Sequence, residues 1–293
     1  MIRFPDYLRI LALWIAIVLM ATPGRSAAKL SDAAAPKPFK AAALVFDPAW
    51  GDLDSNIARM VAGIERAAKE GVRLVVLPET ATTGYIFDNF AMVKPYLDTV
   101  PGKTTAAIEK VTRKYHIYVV VGIAESDPKS GLGYNTAALI RPNGYIGKYR
   151  KHGLNPQDQR WTSVGDVGFP VFDTELGRLT MLICYDDTYW QYARLAALHG
   201  VDIITWSSVS DRVMPGTPAK LAKGDHSTVA NLQYMSLYSG AFVVAATRTG
   251  IEENPLTKQK LYYNGGSSIW DPAGRKLAQA PVVPPEVLPS GVH

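Results

Sequence analysis

Cysteine is nearly absent from this sequence, because Cys184 is the only one among 293 residues. One cysteine cannot form an intramolecular disulfide, which excludes a fold stapled by disulfides. Cys184 is therefore an inert core residue, half of an intermolecular bridge or a free reactive thiol. The chain also lacks an Asn-x-Ser/Thr sequon, the acceptor site for N-glycosylation. For an exported protein, this absence favours a bacterial periplasm over a eukaryotic secretory route.

A basic surface stripe is also missing. The net charge is only +5, the charges are scattered, and no basic stretch carries interleaved aromatic residues. Nucleic acid is therefore not an expected partner. A hydrophobic content of 47% with 19% charged residues is instead typical of an ordinary folded protein.

Long hydrophobic runs are limited to the N-terminal segment. Ile10 to Ala21 forms an unbroken apolar run of 12 residues, which follows the basic Arg3 and Arg9. A small-residue cleavage site lies near Ala28, so the layout predicts a secretory signal peptide over residues 1–28. An uncleaved N-terminal anchor is the alternative.

Removal of this segment has two consequences for the mature chain. Residues 1–28 hold three arginines and one aspartate, so cleavage lowers the net charge from +5 to +3. No second run of membrane-spanning length follows, and we expect no stable membrane span after signal removal. The protein is thus predicted to be exported, to the periplasm rather than the extracellular medium, with residues 29–38 as a linker.

The remaining chain shows no internal repeat and no shift in composition, which indicates one domain over residues 39–280. Apolar runs alternate with segments of helical periodicity, which predicts an α/β layered fold on mixed sheets. Four prolines among the last 14 residues predict an extended, Pro-rich tail over residues 281–293. The predicted strands are 41–46, 72–77, 117–123, 135–141, 145–149, 171–172, 179–183, 201–206, 242–247, 267–270 and 276–278, and the predicted helices are 54–70, 104–115, 190–199 and 227–239.

The stretch that ends in Cys184 is the first candidate for chemistry. Leu179 to Ile183 is typical of a buried strand, and a helix is predicted to follow a few residues later. Backbone N–H groups and the dipole at a helix N-terminus favour a thiolate. We therefore expect a lowered pKa for the Cys184 thiol, which would make it a nucleophile. A small buried core residue is the alternative.

Two further charged residues also follow predicted strands. Glu79 comes after strand 72–77 and Lys151 after strand 145–149, and in layered α/β proteins sites gather at the carboxyl ends of strands. A carboxylate can take a proton from a thiol and return it to a leaving amine. The ammonium and the backbone N–H of Tyr185 can stabilise an oxyanion. A capping or ion-paired Glu and a solvated basic turn remain the alternatives.

A set of short motifs changes the balance between these alternatives. The residues that carry them are Leu77-Pro78-Glu79, Gly84-Tyr85, Tyr134-Asn135-Thr136-Ala137, Gly144, Gly147, Tyr149-Arg150-Lys151, Gly165-Asp166, Ile183-Cys184-Tyr185-Asp186, Gly265-Gly266-Ser267-Ser268 and Asp271-Pro272-Ala273-Gly274. In this order and spacing, from about Ala41 to Ala278, the chain resembles the nitrilase superfamily of carbon–nitrogen hydrolases.

The resemblance implies a four-layer αββα sandwich with two mixed β-sheets. It also implies a catalytic triad of Glu79, Lys151 and Cys184, with no metal or other cofactor. In the implied mechanism the thiolate attacks a carbonyl or nitrile carbon, and an acyl-thioester is then hydrolysed. Members of the superfamily are frequently dimers or larger, so we expect a homodimer or a larger homo-oligomer.

Several positions depart from the family pattern and leave the substrate open. Asp158 stands where many members have a second Glu, and Trp206 stands where a Pro is common. Trp190-Gln191 replaces Pro-Glu, Tyr238-Ser239 replaces Glu-Asn, and Thr247 replaces Asn. These changes leave the triad intact, but they fall near the expected pocket.

The residues after Cys184 favour an amide over a nitrile as the substrate. Nitrilases proper usually have Trp-Glu there, whereas Tyr185-Asp186 is similar to the amidase and carbamoylase branches. We expect Tyr85, Tyr185, Asp158 and Trp206 to contact the substrate, with core packing as the alternative for the aromatic residues. Asp186 and Asp187 are expected to cap the first helical turn rather than attract a cationic substrate.

Three other functions remain open from the sequence. A nitrilase and an N-acyltransferase would use the same triad, but the acyltransferase relatives have many membrane-embedded helices, which this chain lacks. A non-catalytic protein that binds a ligand on the same fold would be consistent with the pocket departures. The intact triad favours a hydrolase that acts on a small amide.

Overall fold

The computed structural model describes residues 38–209, 212–213 and 227–282. The first of its β-sheets contains both parallel and antiparallel strands. The strands of that sheet are β1 Lys40–Ala43, β2 Val72–Val76, β3 Tyr118–Ser126, β4 Gly133–Arg141 and β5 Gly144–Arg150. They lie side by side in this order. The first three are parallel, whereas β3, β4 and β5 form successive antiparallel hairpins.

The second sheet is also mixed and has a parallel centre. Its strands are β6 Val171–Thr174, β7 Gly177–Ile183, β8 Ile203–Ser208, β10 Phe242–Thr247, β13 Ser268–Trp270 and β14 Lys276–Gln279. A third, small sheet consists of β9 Arg212–Val213, β11 Thr249–Glu253 and β12 Lys260–Asn264. The order in the second sheet is β14–β13–β10–β8–β7–β6. Strands β7, β8 and β10 run parallel, and the strands that flank them are antiparallel.

Four of the described α-helices match the predicted ones, whereas a short helix at Phe90–Val93 was not predicted. The α-helices are α1 Leu53–Lys69, α2 Phe90–Val93, α3 Lys103–Tyr115, α4 Trp190–Leu198 and α5 Ser227–Ser239, and short 3₁₀ helices span Lys94–Tyr96, Asp158–Arg160 and Cys184–Thr188. At the start of α1, the Asp52 carboxylate accepts the Ser55 N–H at 3.1 Å. At its end Gly71 has φ +83°, a left-handed conformation that glycine adopts with little strain.

Side-chain alternation along the strands sets up four layers. In β2, Leu74 and Val76 pack toward the second sheet, whereas Val75 packs under α1 and α3. Successive strand residues point to opposite faces, so one apolar run serves two cores. Helices α4 and α5 pack on the second sheet. The predicted four-layer αββα sandwich with two mixed sheets is confirmed.

The third sheet was not predicted. Strand β11 contains a glycine and two glutamates, and it has no apolar run or clean alternation that would indicate a strand. It forms because β12 pairs with it along its whole length. Tertiary pairing therefore overrides the weak local preference of this segment.

The predicted signal peptide, residues 29–37 of the linker and residues 283–293 of the tail lie outside the described residues, so export stays a prediction. Within the described ranges, no helix has the length and apolar character that a membrane span requires. The expected homo-oligomer also stays a prediction.

Candidate active site

The carboxyl ends of strands from both large sheets carry the three residues that the sequence singled out. Glu79 follows β2 and Lys151 follows β5 in the first sheet, while Cys184 follows β7 in the second. The sheets are tied together here by Ser207, whose hydroxyl donates to the Leu77 carbonyl oxygen at 2.8 Å. The charges of Glu79 and Lys151 both act on the Cys184 thiol. The structure therefore brings the three residues into one site.

The Lys151 ammonium lies between two carboxylates. Its Nζ donates to Glu79 Oε1 at 2.8 Å and to Asp158 Oδ2 at 2.7 Å, and all three side chains are 0% exposed. Burial acts to lower the pKa of Lys151, but the neighbouring negative charges, with Glu79 the strongest, raise it well above its ordinary value. The raised pKa favours the charged ammonium form of Lys151.

Glu79 is held at both carboxylate oxygens. Besides Lys151, Oε1 accepts the Asn135 side-chain N–H at 2.7 Å, and Oε2 accepts the backbone N–H of Val209 at 2.9 Å. Burial raises the pKa of Glu79, the charge of Asp158 raises it further, and Lys151 lowers it in part. The net result is a raised pKa, a property that general acid–base residues commonly have.

Cys184 stands at a sharp turn between β7 and the 3₁₀ helix that follows it. It is 7% exposed, and its φ of +44° is in the left-handed region that L-residues other than glycine rarely adopt. Such a conformation costs on the order of 1–3 kcal/mol and persists only where the surroundings enforce it. The surrounding structure therefore holds Cys184 in this strained conformation.

The prediction of a lowered thiol pKa is wrong. Burial raises the pKa of Cys184, the charges of Glu79 and Asp158 raise it further, and Lys151 and the Ser208 hydroxyl only partly offset them. Helix α4 begins at Trp190, so a short 3₁₀ helix separates the thiol from the α-helical N-terminus. With two carboxylates and one ammonium around it, a thiolate would be the third anion, so the raised pKa favours the protonated thiol.

Asp186 connects the Cys184 turn to the loop after Lys151. Its carboxylate accepts the backbone N–H of Ile183 at 2.9 Å, the backbone N–H of Gly153 at 2.8 Å and the Tyr149 hydroxyl at 2.9 Å. The bond to Ile183 confirms the expected capping role of Asp186. Burial raises the pKa of Asp186 to about 6, despite Lys151 and these hydrogen bonds. Through its hydrogen bonds to Ile183 and Gly153, Asp186 fixes the Cys184 turn relative to the loop that follows Lys151.

The structure places the other predicted contact residues as follows. Tyr85 is fully buried, and its hydroxyl lies 3.1 Å from Asp158 Oδ1 and accepts the Asn155 side-chain N–H at 2.8 Å. Tyr185 has an exposed side chain, but its backbone N–H lies in the first turn of the 3₁₀ helix, where N–H groups lack a helical partner. Trp206 is buried in the main core, as the core-packing alternative expected, and its indole N–H donates to the Cys184 carbonyl oxygen at 2.9 Å.

Two asparagines at the site were not singled out as functional. Asn135 bonds Glu79, and its N–H also lies 3.4 Å from Asp158. Asn155 positions Asp158, because its backbone N–H donates to Asp158 Oδ2 at 3.0 Å and its Oδ1 accepts the Asp158 N–H at 3.0 Å. The available signal was an Asn before a proline and close to Lys151, which is typical of an Asx turn.

The Gly165-Asp166 motif owes its glycine to a close backbone approach. A Cβ at Gly165 would lie 2.0 Å from the Arg150 carbonyl oxygen. The Gly165 N–H donates to the Lys151 carbonyl oxygen at 2.9 Å, and Asp166 pairs with the Arg150 guanidinium at 2.9 Å. The motif therefore anchors the backbone that carries Lys151.

The described ranges contain no cluster of three or more His, Cys, Asp or Glu side chains arranged to hold a metal ion. Between the Glu79 and Asp158 carboxylates, the cation is the Lys151 ammonium itself. A thiol, a carboxylate and a fixed ammonium are together a set of groups that can catalyse acyl transfer.

Comparison with known proteins decides the family. The model of the carbon–nitrogen hydrolase family matches residues 40–288. The chain belongs to the carbon–nitrogen hydrolase family. It is thus an enzyme of the class that hydrolyses carbon–nitrogen bonds, which confirms the resemblance that the motifs indicated.

Related sequences include both nitrile- and amide-named enzymes. A protein named nitrilase from Pyrococcus abyssi (strain GE5 / Orsay) is 32% identical over 249 residues, which cover 85% of this chain and 87% of the relative. A formamidase from Bacillus thuringiensis (strain Al Hakam) is 35% identical over 162 residues, which cover 52% of this chain and 47% of that protein.

Solved structures share the fold of this hydrolase. A carbon–nitrogen hydrolase from Helicobacter pylori G27 superposes with a TM-score of 0.76 at 22% identity, over 84% of this chain and 86% of that one. An amidase from Nesterenkonia sp. gives a TM-score of 0.65 at 20% identity, over 84% and 87% of the two chains. At these identities the likeness supports the fold alone.

Proposed function

We propose that this protein hydrolyses small amides through a covalent acyl-enzyme on Cys184, with Glu79 as general base and acid and Lys151 as oxyanion stabiliser. The observation that carries the proposal is the fully buried Glu79–Lys151 ion pair, with N–O distance 2.8 Å, whose charges act on a thiol held in a strained turn. A structural ion pair would not require a nucleophile beside it.

The first half-reaction begins from the protonated thiol. Glu79 accepts the thiol proton as Cys184 Sγ bonds to the amide carbon, and the carbonyl electrons move to oxygen. Lys151 and the Tyr185 N–H stabilise the oxyanion that forms. Collapse of this intermediate breaks the carbon–nitrogen bond, and Glu79 delivers its proton to the departing amine.

The second half-reaction uses the same carboxylate. Glu79 takes a proton from water as the water oxygen attacks the thioester carbon. The carbon–sulfur bond then breaks, and the proton returns to the thiol. A carboxyl group with a raised pKa can both accept and donate the proton, because its pKa is closer to neutral pH than the pKa of an exposed carboxyl group.

An amide is favoured as the substrate, and a nitrile is the second candidate. Tyr185-Asp186 follows the cysteine, as in the amidase branches, and formamidases are among the relatives. The specific reason to retain nitriles is the relative named nitrilase, which is 32% identical over 85% of this chain.

The test is a screen of the purified protein against formamide, acetamide, propionamide, benzamide and the matching nitriles. We expect release of ammonia from one or more amides. Because the chain has one cysteine, intact-mass spectrometry of rapidly quenched reactions should show one acyl adduct, which the Cys184→Ala variant lacks. Turnover that persists in Cys184→Ala would contradict the proposal.

Asp158 is proposed to contact the substrate amine and to adjust the proton affinity of Glu79. Its negative charge raises the pKa of Glu79 and of Cys184. Activity needs ionised Glu79, so kcat/KM should fall as the pH drops through the Glu79 pKa. Asp158→Asn removes a charge that raises this pKa, and the acid limb of the kcat/KM profile should therefore move to lower pH.

The control for this pH profile is Asp88→Asn, which removes the same charge from a carboxylate paired with Arg160 at 3.3 Å near the surface. Its acid limb should coincide with that of the unmodified protein. An acid limb that stays in place in Asp158→Asn, or moves upward, would argue against electrostatic coupling between Asp158 and Glu79.

A further inference from the structure

The left-handed conformation of Cys184 depends on contacts from outside its own turn. One residue earlier, the Ile183 N–H is fixed by Asp186. On the other side, the Cys184 carbonyl oxygen accepts the indole N–H of Trp206 at 2.9 Å. The peptide groups around Cys184 are thus held by one carboxylate within the turn and one side chain from a neighbouring strand.

Trp206 reaches this carbonyl because of its place in the second sheet. It lies in β8 directly opposite Leu182 of the parallel strand β7, two residues before Cys184. The hydroxyl of the next residue, Ser207, donates to the carbonyl oxygen of Leu77, which directly follows β2 of the first sheet. Since successive strand residues point to opposite faces, Trp206 lies on the face away from the sheet that carries Glu79 and Lys151.

We propose that Trp206 is a positioning residue, which holds the Cys184 peptide in the conformation that directs the thiol toward Glu79 and Lys151. This role replaces the substrate contact expected from the sequence, because Trp206 is 1% exposed and packs in the core. The inference rests on the proposed function of Cys184 as nucleophile. Loss of the indole N–H frees the carbonyl to rotate, which should impair the chemical step and leave substrate binding unchanged.

The substitution that tests this role is Trp206→Phe, which keeps an aromatic ring and removes the N–H. A matched control exists in the same sheet. Trp270 is also buried, and its indole N–H donates to the Ser268 hydroxyl at 2.9 Å rather than to the Cys184 turn. Trp270→Phe therefore removes the same atoms from the same core. Site-specific incorporation of 3-benzothienylalanine at position 206 removes only the N–H and preserves the shape of the ring.

The kinetic result expected for Trp206→Phe and for the benzothienyl variant is a fall in kcat of roughly tenfold or more, with KM within about twofold of the unmodified protein. Trp270→Phe should retain kcat, although it should lose as much thermal stability as Trp206→Phe. Equal kcat values for the Trp206 and Trp270 variants would show that the indole contributes only to packing, and would overturn the proposal.

A spectroscopic readout separates this inference from the proposed function. With one cysteine in the chain, ¹³C-labelled cysteine gives a single Cα resonance whose shift reports the backbone conformation of Cys184. We expect this resonance to move in both Trp206 variants and to stay in place in Trp270→Phe. An unmoved resonance in the benzothienyl variant overturns the positioning role even if Cys184 proves not to be the nucleophile, whereas activity in Cys184→Ala overturns only the proposed function.

Discussion

Lys151→Met should lower kcat by roughly 10³-fold and destabilise the fold by about 3–5 kcal/mol. The ammonium is the cation that pairs with both Glu79 and Asp158, and all three groups are inaccessible to solvent. Methionine keeps a similar volume but leaves two buried carboxylates without their cation. The kinetic loss follows because Lys151 is the proposed oxyanion stabiliser. Among the described residues, no other side-chain cation bonds Glu79 and could take its place.

The stability loss should depend on pH in a defined direction. In the unmodified protein Lys151 lowers the pKa of Glu79 in part, against a burial effect that raises it. Without Lys151 the folded pKa of Glu79 rises further above its ordinary value of 4.5. A raised carboxyl pKa favours folding at acid pH, and that contribution is lost as the pH rises through the folded pKa.

Urea unfolding at a series of pH values measures this effect. The gap in unfolding free energy between Lys151→Met and the unmodified protein should widen from about pH 4.5 toward pH 8. Lys148→Met is the control, because Lys148 pairs with Glu125, which keeps its second partner Arg150 at 2.6 Å. A gap that is constant with pH would show that the Lys151 ammonium does not compensate the buried carboxylates.

Gly122→Ala should destabilise the protein by about 3 kcal/mol and lower kcat by roughly 10²-fold. A Cβ at this position would lie 2.2 Å from the Pro78 carbonyl oxygen and 2.6 Å from Glu79 Cα. Both atoms belong to the backbone and cannot rotate away. The loop that carries Glu79 must therefore shift, and it is already strained, because Thr80 has φ +44°.

The control substitution is Gly63→Ala in α1. There the added Cβ meets only the Leu44 side chain, at 3.5 Å, and alanine in a helix interior favours folding by up to about 1 kcal/mol over glycine. Gly63→Ala should therefore retain kcat and gain stability in the same urea titration. If Gly122→Ala retained full kcat, the position of Glu79 would not depend on this contact.

Local patterns predicted most of the architecture, because they report burial. The alternation of apolar runs and helical periods located both large sheets and the helices that cover them, within a few residues at each end. Segments whose stability comes from pairing alone were missed, as with the third sheet. Strand β11 carries Glu252, whose carboxylate accepts the Tyr85 N–H and pairs with the buried Arg248, and neither residue has a distinctive local signal.

The sequence by itself determined that Glu79, Lys151 and Cys184 end different strands, and its motifs determined the family. The direction in which the thiol pKa shifts was decided only by the tertiary structure. Proximity to a helix start predicted a lowered pKa, but burial and the Glu79 and Asp158 charges raise it. Desolvation depends on what surrounds a group in three dimensions, and no local pattern encodes it.

The same distinction applies to Trp206. As a residue in a sequence it could line a pocket or fill a core, because an aromatic ring suits both. The pairing of β7 with β8 decides that the ring is buried and that its N–H meets the Cys184 carbonyl. Strand register therefore determines this contact, and register is set by the packing of whole sheets rather than by the residues around one position.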